Sequence, residues 1–427
     1  MATSLRTTGL LRFATAGSVD DGKSTLIGRL LYDSKTVFAD QLDAVERIAA
    51  ERGDDWTNLA LLTDGLRAER EQGITIDVAY RYFATPARSF IVADTPGHVQ
   101  YTRNMVTGAS TADVAVVLVD ARTGVVEQTR RHASLSALLR VPHLVLAVNK
   151  MDLVDFDRGA FDAIVADFRE VADRLDVQDV VAVPVAALLG DNVVDRSARM
   201  PWYDGPTLLE HLETVHVARD DAQLRPVRFP VQYVIRPMSA AHPDYRGYAG
   251  TLASGVLRPG DEVTVLPGGR TTTVAGIDTF DGELSAAVAG QAVTVRLATE
   301  LDVSRGDLLV ASGDAPAVTS TFEATLCWMS DTPLRPGQRL LLKHTTRTVK
   351  AVVTELHDAL DVTSLSRSPA AELGLNDIGV VTLRTAAPLA PDDYVTDRRT
   401  GAFVLVNEAT GATVAAGMIG SRLGVRV

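Results

Sequence analysis

Gly17-Ser18-Val19-Asp20-Asp21-Gly22-Lys23-Ser24, followed by Thr25, matches the pattern GxxxxGK[ST], and its reading decides the fold. The apolar run Leu10-Leu11-Arg12-Phe13-Ala14-Thr15-Ala16 before it reads as a buried strand, and Leu26-Ile27-Gly28-Arg29-Leu30-Leu31 after it reads as a helix. A glycine turn joining a strand to a helix has a specific use. Its backbone N–H groups converge on an oxyanion, the helix N-terminus adds partial positive charge, Lys23 reaches the outer phosphates and the Ser24 hydroxyl is suited to Mg²⁺. An ordinary turn would share the pattern, so the decision rests on what accompanies it.

Outward from this loop, Ser89 to Ala93, Val114 to Val119, Leu144 to Val148 and Val180 to Val185 are short apolar runs, as expected of strands covered on both faces. Phe161, Ile164, Phe168, Val171 and Leu175 recur every three or four residues and lay one apolar stripe along a helix. Strands alternating with helices predict an α/β domain with a doubly wound, mostly parallel sheet and its ligand loops at the carboxyl ends of the strands. From about residue 226 the texture changes to short strand-like runs punctuated by Gly and Pro, such as the stretch from Gly250 to Asp261, and stays all-β. The polar break Ser312-Gly313-Asp314-Ala315-Pro316 divides this half into two barrel-sized pieces. The expected division is 1–222, 226–314 and 318–427.

Composition removes several classes of function. With 42 Lys+Arg against 54 Asp+Glu the net charge is −12, which argues against broad binding of nucleic acid. A single cysteine, Cys327, excludes an internal disulfide and a cysteine-rich zinc site, and its apolar neighbours Leu326 and Trp328 mark it as a core residue. The N-terminus lacks a signal-peptide layout and no apolar stretch approaches the ~20 residues of a membrane span, so a cytoplasmic protein is expected.

Asp94-Thr95-Pro96-Gly97-His98 follows the strand ending at Ala93 and therefore emerges at the same sheet edge as the phosphate loop. There the Asp94 carboxylate can hold Mg²⁺ through water, the Gly97 N–H can bond a terminal phosphate, and His98 can orient an attacking water. Asn149-Lys150-Met151-Asp152 follows the next strand but one. A carboxylate at Asp152 accepts two hydrogen bonds from the N1–H and amine of guanine but would face an acceptor on adenine. Asn149 can bridge loops, and the Lys150 stem can cover the base. The charged run from Asp64 ends in Gly73-Ile74-Thr75-Ile76, where a Thr75 hydroxyl bound to Mg²⁺ only when a third phosphate is present would make an order–disorder switch.

The set GSVDDGKS, EREQGITID, DTPGH and NKMD resembles the translation-factor class of GTPases, whose elongation factor Tu carries an α/β G domain followed by two β-barrels. Over nearly the whole chain the sequence is similar to the GTPase subunits of bacterial heterodimeric sulfate adenylyltransferases. The strings that carry this are DGLRAEREQGITIDVAYRY from Asp64, ADTPGHVQYTRNMVTGAST from Ala93, Gly190-Asp191-Asn192-Val193 and LKHTTRTV from Leu342. The resemblance implies a heterodimer, or an assembly of heterodimers, with a small subunit of ATP-pyrophosphatase fold. That subunit would transfer adenylyl from ATP to sulfate, and GTP hydrolysis by this chain would drive the uphill step.

It further implies phosphate contacts along Gly17 to Thr25, Mg²⁺ ligation by Ser24 and Thr75 with Asp94 acting through water, and catalysis by His98. Guanine would be read by Asn149, Lys150, Met151 and Asp152 and by a last loop at Ala186-Ala187-Leu188. That loop usually reads Ser-Ala-Leu, so Ala186 leaves it with less support, while the Ala187 N–H is expected to meet the base oxygen. An adenylylsulfate kinase, fused to some members of the family, is not expected here because no second GxxxxGK[ST] occurs. The alternative left open is a translation-type carrier that releases aminoacyl-tRNA on GTP hydrolysis.

Overall fold

A computed structural model of the chain describes residues 9–34, 77–98, 102–217, 221–237, 244–362, 364 and 366–420. It divides into two compact units, one of the described residues up to 217 with 362 and 364, the other of the remaining described residues from 221 onward.

The first unit is a six-stranded sheet with helices. Its strands are β1 (Leu10–Ala16), β2 (Ala79–Ala84), β3 (Ser89–Asp94), β4 (Val114–Asp120), β5 (His143–Asn149) and β6 (Val180–Pro184). Its helices are α1 (Lys23–Asp33), α2 (Thr102–Ala109), α3 (Glu127–Leu138), α4 (Arg158–Arg174) and α5 (Leu208–Thr214). The strand order is β2-β3-β1-β4-β5-β6, with β2 antiparallel to β3 and every other pairing parallel. All seven residues of β4 are buried, which is why its sequence is apolar without alternation. On α4 the expected stripe is buried at Phe161, Ile164, Phe168 and Val171, and Asp157 caps the helix by accepting the Ala160 N–H at 2.8 Å.

Two elements escaped the hydrophobic pattern. Edge strand β2 alternates burial and exposes Tyr80 and Tyr82, so its composition is that of a half-solvated strand. Helix α3 buries Thr129, His132, Ser134 and Ser136 alongside its apolar residues; with small and polar groups buried, there is no apolar period to read.

Pairing register places the site. Thr15 pairs with Asp94 between β1 and β3, Ala16 with Val117 between β1 and β4, and Asp120 with Asn149 between β4 and β5. The carboxyl ends of these strands therefore fall at one edge, at the switch point where successive connections leave β1 to opposite sides.

The second unit contains two closed rings of six antiparallel strands. The first ring runs through Glu262–Leu266, Leu308–Ala311, Arg228–Ile235, Gly247–Thr251, Ala292–Leu297 and Arg270–Thr279, and back to its start. The second runs through Arg339–His344, Ala402–Val406, Thr413–Ile419, Thr319–Trp328, Ile378–Leu389 and Arg347–Asp361. Each ring has its own core, Phe229, Tyr248 and Leu309 in the first and Trp328, Leu342 and Leu405 in the second. Closure removes the ring edges that an open sheet would expose. Cys327 is buried in the second ring.

Candidate functional site

The phosphate loop leaves β1 and turns into α1 through two residues with left-handed backbone, Asp20 at φ 69° and Gly22 at φ 91°. Gly22 is also required by contact, because a Cβ there would lie 2.5 Å from Asn149 Nδ2. Within the loop the buried Asp21 carboxylate accepts the Ser18 N–H at 2.6 Å, and burial raises its pKa against the lowering effect of that bond. Lys23, the first residue of α1, is folded back so that its Nζ donates to Gly17 O at 2.8 Å and Ser18 O at 2.7 Å. Burial lowers the pKa of its ammonium, and Asp94, Asp21 and Asp20 oppose the shift. Ser24 and Thr25 are half-buried, while Val19 is exposed.

The loop after β3 lies against this one. A Cβ on Gly97 would fall 2.5 Å from Lys23 Nζ and 2.6 Å from Gly17 O, so the backbone of Gly97 touches the lysine head. Asp94 is buried and accepts the Thr15 hydroxyl at 3.3 Å, and the Thr95 hydroxyl donates to Thr15 O, which fixes the start of the loop on β1. Pro96 is buried and His98 is exposed immediately beyond Gly97. Thr75 lies outside the described residues.

The third and fourth loops are tied to the first by Asn149. Its Nδ2 donates to Asp21 O at 2.8 Å, and its Oδ1 accepts the Ala187 N–H at 3.0 Å. The bridging expected of Asn149 is thus between the phosphate loop and the last loop, and the Ala187 N–H expected on the base oxygen is held by Asn149. Lys150 adopts φ 63° and sends Nζ to Asp20 O at 2.5 Å and to Asp120 Oδ2 at 2.9 Å. Met151 is fully buried and its N–H bonds Val185 O at 3.2 Å, which leaves half-buried Asp152 in the short helical turn Met151–Val154. Ala186 and Ala187 are buried, and Leu188 is half-buried.

Three groups at the site were not singled out in the sequence. Asp120 ends β4 and holds Lys150 and Arg122 together; burial alone would raise its pKa, but hydrogen bonds from Arg122 and Lys150 hold it well below the usual carboxylate range. A carboxylate closing a fully apolar strand at the ligand edge was a usable signal. Gln128 of α3 donates to Gly97 O at 2.9 Å and contacts buried His132 Nε2 at 3.1 Å. Arg29 of α1 donates from Nε to Ala187 O at 3.2 Å and from Nη2 to Leu188 O at 2.5 Å. Nothing in sequence marks these last two, since each joins elements far apart in the chain.

Among family models, residues 8–219 match the Elongation factor Tu GTP binding domain, 248–310 match Elongation factor Tu domain 2, and 321–420 match a GTP-eEF1A C-terminal domain-like model. The chain is 59% identical over 414 residues to the Bifunctional enzyme CysN/CysC of Mycobacterium tuberculosis, covering 96% of this chain and 67% of that protein. It is 52% identical over 418 residues to Sulfate adenylyltransferase subunit 1 of Laribacter hongkongensis, covering 97% of this chain and 86% of the relative. Subunit 1 of Aeromonas salmonicida is likewise 52% identical over 412 residues, with 96% and 86% covered.

Proposed function

The chain belongs to the sulfate adenylyltransferase subunit 1 family of elongation factor Tu-like GTPases, and from that premise we propose that it is the GTPase subunit of an ATP sulfurylase. In this reading GTP hydrolysis here drives formation of adenosine 5′-phosphosulfate and pyrophosphate from ATP and sulfate in a small partner subunit of ATP-pyrophosphatase fold, the entry step of sulfate assimilation. The identity of 52% over 97% of the chain to a protein named subunit 1 carries the assignment. Both nucleotides are cytoplasmic substrates, which fits a cytoplasmic complex. The division at 1–222, 226–314 and 318–427 is kept as the proposed domain scheme.

The residues present fit a guanine nucleotide with Mg²⁺. Gly17 to Thr25 form a cradle whose approach at Gly22 admits no Cβ, and Lys23 supplies a cation at its mouth. Ser24 and Asp94 offer the hard oxygen donors that Mg²⁺ prefers, with phosphate oxygens and water to complete the set. The ion would neutralise charge developing on the phosphates.

The rest is work for side chains of this chain. Lys23 is held on carbonyls of its own loop, within reach of a phosphate in its place. Gly97, backed against Lys23, has a peptide that must shift when a phosphate takes the lysine, so the loop from Asp94 to His98 is coupled to nucleotide state. His98, next to that peptide and exposed, would orient the attacking water. Asp152, raised on its helical turn and flanked by the pinned Lys150, would accept guanine N1–H and amine, and Asn149 would hold the surrounding loops at fixed spacing.

The test measures adenosine 5′-phosphosulfate made from ATP and sulfate by the small subunit, with and without this chain and GTP. Product that requires both, with GDP formed alongside it, is the expected outcome. GTP hydrolysis with no effect on product would reject the coupling and return attention to a tRNA-carrier role.

A further inference from the structure

Arg29 sits on α1 six residues beyond Lys23, so the helix that begins at the phosphate cradle also carries a cation towards the other end of the site. Its guanidinium is mostly buried and forks onto two successive carbonyls, Ala187 O at 3.2 Å and Leu188 O at 2.5 Å. Asp33, one turn further along α1, lies 3.5 Å from its remaining nitrogen and holds the fork in place. The loop's far end is fitted to the same side chain. Gly190, at φ 88°, lies where an added Cβ would be 3.6 Å from Arg29 Cδ.

The peptide groups of the last loop are therefore held from two directions. Asn149 takes the Ala187 N–H, and Arg29 takes the Ala187 and Leu188 carbonyls. Ala186, buried and without a polar side-chain atom, can contribute nothing to this restraint. A guanidinium is well suited to such a place, because its planar fork meets two oxygens at once.

We propose that Arg29 is the positioning residue for the guanine end of the site, holding the Ala186–Leu188 loop so that, with the Ala186 N–H given to Asp191 O and the Ala187 N–H to Asn149, the Leu188 N–H is offered to the 6-oxo group of the base. The inference rests on the reading of this chain as a guanine-nucleotide protein and deepens it. It also joins the two ends of the nucleotide mechanically, since Lys23 and Arg29 share one helix.

The experiment uses the full chain and three diphosphates: GDP, inosine diphosphate, which lacks the 2-amino group, and 2-aminopurine riboside diphosphate, which lacks the 6-oxo group and the N1–H, so that only the change in preference on substituting Arg29 reports on the 6-oxo contact. Arg29→Met keeps the aliphatic stem and removes the fork. It is expected to weaken GDP by about tenfold and to reduce the preference for GDP over the 2-aminopurine analogue by the same factor. The preference for GDP over inosine diphosphate, set at Asp152, should stay unchanged. Arg29→Lys, with one cation and no fork, should fall between the two proteins.

Unchanged preferences, or an equal loss against all three nucleotides, would overturn the role and leave Arg29 as a structural contact. A wild-type chain with no preference for GDP over the 2-aminopurine analogue would overturn the guanine reading itself, and the inference with it.

Discussion

At the residue scale, the proposed site separates the group that would read the base from the groups that hold it. In the proposed reading Asp152 would supply the acceptors, while Asn149, Lys150, Asp120 and Arg29 fix the loops around it through bonds of 2.5 to 3.2 Å. Asp152→Asn exchanges an acceptor for a donor. It should lower GTP affinity by about a hundredfold while raising that for xanthosine triphosphate, as competition binding would show; an unaltered nucleotide preference would remove Asp152 from the role.

A second residue-scale expectation concerns pH. His132 is 2% exposed, and burial, with Lys23 and Arg131 adding to it, brings its pKa down to about 3 from an ordinary 6.5. Between these values the unfolded chain holds the proton and the folded chain does not. Its contribution to stability is thus complete above pH 6.5 and is lost as the pH falls towards 3. By pH 5 the loss from this group is about 2 kcal/mol. Urea unfolding at pH 7 and pH 5 should show a smaller drop for His132→Gln than for the wild type, and equal drops would contradict a neutral buried imidazole.

At the element scale, the approach of two loops sets the site more than any helix or strand does. β1 and β3 are parallel neighbours, and their register brings the phosphate loop and the Asp94 loop to the same edge. The closeness then achieved is such that only a glycine fits at position 97, between Lys23 Nζ and Gly17 O. Gly97→Ala should therefore push the second loop outward. Folding and GDP affinity should change little, whereas GTP turnover should drop at least about tenfold, since a displaced peptide no longer answers to the phosphates. Wild-type turnover in single-turnover assays of this variant would mean that the contact has no part in hydrolysis.

At the scale of the molecule, the two units reach their cores by different routes. The first buries near-continuous strands under helices, with Phe83 stacked on Phe90 at 4.5 Å and Phe13 edge-on to both. The second closes two rings, joined by a buried ion pair. Arg228 meets Asp392 through two bonds of 2.9 Å and also donates to Asp314 O, and the Thr400 hydroxyl completes the carboxylate. Removing one partner strands the other charge, so Arg228→Met should cost about 3 kcal/mol in the unfolding of this unit, read by urea denaturation. Asp392→Asn in the Arg228→Met background should recover part of the loss. A loss under about 0.5 kcal/mol in the single variant would place the pair among the weak surface contacts.

What could be read from the chain alone was whatever is local and periodic. Strands β1, β3, β4, β5 and β6 and the face of α4 are written in apolar runs and spacings, and the phosphate loop, DTPGH and NKMD are contiguous because each must complete one turn at the end of one strand. Those features, with the change of texture near residue 226, determined the fold class and named the residues that gather at one edge. Tertiary structure alone decided the restraints between loops. The Asn149 bridge spans 128 residues to Asp21 and 38 to Ala187, and Arg29 reaches 158 and 159 residues along the chain. Such pairs leave no period in the sequence, because parallel strands are joined by long crossovers and the sheet register, not chain order, sets which loops meet. Helix α3 stayed unread because its small polar residues are buried, and a buried serine looks in sequence like an exposed one.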